Sequence, residues 1–182
     1  VLIEVASTDF LQSCTLLHTR EHRMAREVEG KTGKDLPQIS CNRDALLGLP
    51  LPAYKKHSSV VELGFIEAAA FLNEQKIIWH RDIPYPPLVV GLASVFAILG
   101  TTAQTTAAKE KIAQWFWCVT LGELYGSSTD SRLAKDVPQL VNWVRNNGPR
   151  PASLDESLFQ QDRLKTLRSR LSAAYKGVHA LL

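Results

Sequence analysis

At 182 residues, with 45% hydrophobic and 21% charged residues, the chain has enough apolar material for one packed core and too little charge density for a disordered segment. The net charge of +3 is mildly basic, far from the excess that marks a nucleic-acid binder by composition alone. No apolar run at the N-terminus resembles a signal peptide, because Glu4 and Asp9 interrupt it.

Apolar residues recur at helical spacing almost throughout, and alternation of the strand type is scarce. Ser7 or Thr8 is placed to cap a first helix carrying Phe10, Leu11, Cys14 and Leu17, which turns highly charged and fades at Gly30. Residues 29–41, with Gly30, Gly33 and Pro37, read as an internal loop. Asn42 caps a short helix with Leu46 and Leu47, which the Gly48-Leu49-Pro50-Leu51-Pro52 run then interrupts.

Ser59 and Glu62 have capping-box spacing and predict a helix start there, running through Val60, Leu63, Phe65, Ile66, Ala69, Phe71 and Leu72 toward Ile77 and Trp79. Pro84, Pro86 and Pro87 form a stiff connector into the most apolar helix, Leu88 to Leu99, stopped by Gly100. Its dozen residues fall short of the roughly 20 that a membrane span needs, so burial on all sides is expected. Thr105 or Thr106 caps a helix with Ile112, Trp115, Phe116, Val119 and Leu124 that ends near Gly126.

Leu133, Leu140, Val141 and Val144 come next, on a helix that Pro138 either breaks in two or enters as the first turn of a second half. Residues 146–151 read as a loop. Ser153 and Glu156 repeat the capping-box pattern before a last helix with Leu164, Leu167, Leu171, Ala174, Val178 and Leu181 on one narrow seam. The expected fold is all-α: an irregular bundle of about six to eight helices over residues 1–182, without a substantial sheet. Both ends fall without a start or stop signal, which predicts a segment of a longer chain.

Four groups of residues could carry chemistry. His18-Thr19-Arg20-Glu21-His22 has the H-x-x-E-H spacing of inverted zinc peptidases, with His18 and His22 as ligands, Glu21 activating water and Cys14 one turn earlier on the same face. The dense surrounding charge (Arg20, Arg23, Arg26, Glu27) favours a solvated helix face instead. Trp115, Phe116, Trp117 and Tyr125 could stack bases, but aromatics at helical spacing among Ile112, Val119 and Leu121 read as core. Glu123 beside them is paired in that core or lies on the surface. His80 and Asp82, without a nucleophile, read as a helix-end hydrogen-bond cluster.

The last group is basic. Arg163, Lys165, Arg168, Arg170 and Lys176 succeed one another with no acid between them, Lys165, Arg168 and Lys176 pointing to solvent, and such a face can hold phosphates. Cys14, Cys41 and Cys118 match neither a disulfide framework nor a zinc spacing, and a reducing, cytoplasmic location is expected. No catalytic residue, resident metal or cofactor follows from these patterns.

Trp115-Phe116-Trp117, Glu123-Leu124-Tyr125-Gly126-Ser127, Leu133-Ala134-Lys135-Asp136, the apolar helix 88–99, and Asp162-Arg163-Leu164 through Ser172-Ala173-Ala174-Tyr175 together resemble the GmrSD-type restriction endonucleases and their relatives. The resemblance covers most of the chain, best from Leu36 onward. Such proteins join a ParB/sulfiredoxin-like nucleotide-hydrolysing domain, a helical middle and an HNH-type nuclease domain.

The first domain's Asp-Gly-Gln-Gln-Arg motif is absent here, as is the nuclease's His-His motif, which the resemblance places shortly after Leu182. No catalytic residue of the family therefore carries over. The resemblance implies a non-catalytic helical region linking flanking domains of a bacterial, cytoplasmic protein that acts on foreign, including modified, DNA, with no membrane partner. The alternatives are a nucleic-acid-binding module using the basic C-terminal helix, and a zinc metallopeptidase built on His18, Glu21 and His22.

Overall fold

The computed structural model describes residues 4–158, Asp162, Lys165, Ser169 and residues 172–182. Among them are eight α-helices and no β-strand: α1 (Ser7–Val28), α2 (Arg43–Leu47), α3 (Leu51–Glu74), α4 (Pro87–Leu99), α5 (Thr106–Leu121), α6 (Thr129–Asn146), α7 (Ala152–Glu156) and α8 (Ala173–Leu181). The all-α expectation holds.

Helix α4 is the axis of the fold. Ten of its residues are buried, from Leu88 to Leu99, and α1, α3 and α6 pack around it. The apolar stretch extends through a 3-10 turn to Gln104, giving 18 residues of mean hydropathy 1.6, of which 61% are buried inside the protein. Gly100, at φ +54°, breaks the helix where the sequence placed its stop. Helix α5 closes the core through Phe116, whose ring meets Phe71 of α3 edge-on at 5.9 Å; Phe71 also meets Phe96 of α4 at 5.8 Å.

Caps at Asn42 and Thr105 form as expected, their side-chain oxygens accepting from the N–H groups of Ala45 and Ala108. Three local expectations are overturned. First, α3 starts at Leu51 and runs straight through Ser59. Pro52 lies in the first turn, where a missing N–H costs nothing, so the proline pair begins the helix instead of ending one. Val60, Leu63 and Ile66 consequently lie on the outer face, the last two 61% and 59% exposed, while His57, Val61, Gly64, Ala68 and Leu72 turn inward.

Second, α6 is continuous across Pro138. Proline inside a helix costs about 3 kcal/mol. Burial of Leu133 and Val137 before it, and Leu140 and Val141 after it, holds both halves on one axis against α4 and α5. Third, the long last helix is interrupted. Ser153 is buried inside short α7 instead of capping a helix, Ser157 is extended, and α8 (Ala173–Leu181) has Ser172 as its cap; Leu164, Leu167 and Leu171 of the expected seam lie outside the described residues. At the other end of the chain, neither Ser7 nor Thr8 caps α1; Ala6 occupies that position without a side-chain bond.

Gly64 fixes the α3–α4 crossing. A Cβ there would lie 2.2 Å from the Ala93 carbonyl oxygen, so only glycine allows the two backbones to meet.

Candidate functional site

The stretch carrying the family resemblance folds onto one buried carboxylate. Asp136 is fully buried on the inner face of α6. Tyr125, in the turn between α5 and α6, donates its hydroxyl to Asp136 Oδ2 at 2.9 Å, and the Trp115 indole N–H of α5 reaches the same oxygen at 3.3 Å. The two rings meet edge-on with centroids 6.3 Å apart.

Burial pushes the Asp136 carboxyl up, and the tyrosine and tryptophan donors hold it partly down; the net direction is upward. Burial and the carboxylate together push the Tyr125 hydroxyl well above its usual value. Ser153 lies beside the carboxylate, yet neither its hydroxyl nor Asp136 Oδ1 completes a hydrogen bond of good geometry among the described residues. The cluster joins α5, the α5–α6 turn and α6 through one acceptor, with α7 packed beside it. Its chemistry is structural, since a fully buried carboxylate held by two donors has no open face for a substrate.

On the outer side, Glu156 of α7 accepts from Arg132 at 2.6 Å and Lys135 at 2.8 Å, which holds its carboxyl at about 2. Tyr125, Trp115 and Phe116 are core residues, as their spacing predicted. Trp117 is half-buried and donates to Gln75 Oε1 at 2.8 Å. The sequence could not show that Asp136 gathers them, because its partners sit on separate elements.

The H-x-x-E-H pattern is drawn apart from metal chemistry. The His18 and His22 rings stack 6.5 Å apart, while Glu21 is taken up across the α1–α3 interface by Lys56, with His57 Nε2 3.3 Å away but not completing a hydrogen bond. Cys14, one turn earlier, is fully buried with its thiol pushed up to about 11. Among the described residues no three His, Cys, Asp or Glu side chains converge for a metal ion.

The His80–Asp82 segment is a 3-10 turn, not a helix-end cluster. His80 Nδ1 is buried without a partner among the described residues, and Asp82 reaches only the adjacent Arg81 at 3.9 Å.

Of the basic set, Arg163, Arg168 and Arg170 lie outside the described residues. Lys165 pairs with Asp162 at 2.9 Å. Lys176 is half-buried, and its amine donates to the Ile83 carbonyl at 3.1 Å, which ties α8 to the loop before α4. It does not point freely to solvent as the pattern suggested.

A second arrangement had no signal in the sequence. Arg20 of α1 and Arg145 at the end of α6 come together beside Ala97 and Ile98 of α4. They border an apolar groove of about 690 Å³ and, with Arg23, a smaller cavity of about 280 Å³. Burial and Arg145 both push the Arg20 guanidinium down from its usual value, against a smaller pull from Glu27. These arginines come from opposite ends of the chain, so no local motif marks them.

No family model matches the chain, and no solved structure matches it. Among curated proteins, the uncharacterized protein MJ0686 of Methanocaldococcus jannaschii is 27% identical over 103 residues, which are 54% of this chain and 17% of that relative. The match thus spans about a sixth of the relative's length.

Proposed function

We propose that this chain is a non-catalytic helical coupling region of a GmrSD-like DNA-restricting protein, connecting a nucleotide-hydrolysing domain to a nuclease domain. The observation that carries the reading is the Trp115–Tyr125–Asp136 cluster. Three of the residues that bear the resemblance are spent on joining three elements inside the core, not on a reactive surface. The outer stripe of α3, with Leu63 and Ile66 exposed, supports the role by offering an apolar face to a neighbouring domain. The length of the archaeal relative is in keeping with a segment of this kind inside a longer chain.

The test has two arms. The purified chain should hydrolyse no nucleotide and cleave no DNA, and either activity would overturn the reading. In the full-length parent, Leu63→Glu should lower nucleotide-dependent DNA cleavage while leaving nucleotide hydrolysis in place. Unchanged cleavage would remove α3 from the coupling path.

The nucleic-acid-binding alternative finds less support, because Lys165 and Lys176 are both engaged within the chain. Salt-sensitive DNA binding by the chain, abolished by glutamate at Arg163, Arg168 and Arg170, would restore it.

A further inference from the structure

We propose that the groove bordered by Arg20 and Arg145 binds a small anionic amphiphile, with a carboxylate or phosphate head and an unbranched aliphatic body. The inference stands apart from the coupling role, since it rests on different residues.

The head site follows from guanidinium donors that face solvent instead of a protein acceptor. Arg20 is half-buried, and its guanidinium has five N–H donors. None has an acceptor among the described residues. Every nearby acid is already engaged: Glu27 accepts from Arg23 at 3.0 Å, Glu29 from Arg26 at 2.8 Å, and Glu21 is held by Lys56 and His57. Arg145 donates one nitrogen to the Ile98 carbonyl at 2.6 Å, which anchors it beside Arg20 with donors to spare. Arg20, Arg23 and Arg145 thus line a smaller cavity whose lone carboxylate is Glu27, an excess of two positive charges. A planar guanidinium fork matches carboxylate and phosphate oxygens in pairs.

The body site follows from the walls. The larger cavity is faced by Leu17, Met24, Val28, Val60, Ala97 and Ile98, and Val28 is 90% exposed where the groove opens. Its volume of about 690 Å³ lies within the range of small-molecule sites, roughly 300–1,000 Å³. His57 supplies the only ring among its described lining residues, so a nucleobase would find no stacking platform, while an alkyl chain finds a mainly aliphatic wall interrupted by Glu21 and Glu29. Arg20, Met24 and Arg145 line both cavities, which puts the guanidinium pair where the positively charged cavity meets the more apolar groove. That junction is what a molecule with one charged end and one greasy end requires.

Isothermal titration calorimetry with decanoate, decyl phosphate and decanol tests the assignment. The native chain should take up decanoate or decyl phosphate saturably, one per chain, with decanol weaker by about tenfold or more. Arg20→Met and Arg145→Met, which keep the apolar stem, should each weaken the anions by about tenfold. Lys55→Met, an exposed charge outside the groove, should change nothing. Val60→Phe is the second variant should an arginine variant misfold: it fills the groove from a surface position and should weaken decanoate.

Three results with the isolated chain would each overturn the proposal. These are no saturable binding of either anion, native-like binding by both arginine variants, or flotation with phosphatidylglycerol vesicles that survives Arg20→Met in a chain that ignores decanoate. The last would mark an anionic membrane surface as the ligand. Exclusion of decanoate from the full-length parent would likewise overturn it, by giving the groove to a segment of that protein.

Discussion

Tyr125 and Asp136 are joined in the core by a 2.9 Å hydrogen bond from the phenol to a carboxylate with no exposure to solvent. Tyr125→Phe removes that donor and leaves the carboxylate with Trp115 alone. The expected loss is about 1–3 kcal/mol of stability, read as a lower urea midpoint at unchanged slope. A midpoint equal to the native one would mean that the bond contributes nothing net.

Asp136 also sets a pH dependence. Its folded pKa is raised above the ordinary 3.8 by burial, so its contribution is fully present below that value and is lost as pH rises through the raised one. Asp136→Asn removes the titration. The variant should therefore gain on the native chain as pH climbs from 3.8 toward neutrality, measured by urea titration across that range. A constant difference between the two proteins would contradict the assignment.

His57 acts in the opposite sense. Burial holds its imidazole below the usual 6.5, against the pull of Glu21 and with help from Lys56 on its own helix and His18 on α1. A lowered folded pKa gives stability that is present above 6.5 and lost as pH falls through the folded value. His57→Gln should flatten the acid-side fall in melting temperature.

Thiol reactivity should separate the three cysteines. Cys14 and Cys41 are fully buried, their thiols pushed up to about 11 and about 12, whereas Cys118 is partly exposed. Thiol titration of the native chain should label one cysteine quickly, and denaturant should release the other two. Cys118→Ser should abolish the fast phase.

Gly64→Ala tests the closest helix contact. The added methyl meets the Ala93 carbonyl, and one helix must move away, at a cost of about 1–3 kcal/mol or more. Gly126→Ala is the control, since its nearest atom would be an ordinary 3.8 Å away. Equal urea midpoints for the two variants would mean that α3 and α4 are not held as close as their backbones indicate.

Caps were legible in the sequence where a capping side chain stood within a few residues of an apolar helical pattern and after a loop, as at Asn42 and Thr105. Ser59 and Glu62 misled because their spacing also fits an exposed face in mid-helix, and a capping box cannot be told from that by pattern alone. Pro138 misled in the other direction: local cost was visible, but the burial of Leu133, Val137 and Leu140 that outweighs it is a tertiary quantity. For the same reason the aromatics could be read as core while Asp136, a charged residue on a helix, gave no hint that they would close around it. Arg20 and Arg145 meet only through the packing of α1 and α6 on α4.

Backbone touching backbone at Gly64 and Ala93 makes that crossing behave as a fixed joint, with no side chain between to compress or to change rotamer. The seam between α1 and the end of α6 is built differently, from long arginine and methionine side chains around open space. A push on the outer stripe of α3 would therefore be transmitted to α4 undiminished, and the compliance of the fold would be taken up at the α1–α6 seam.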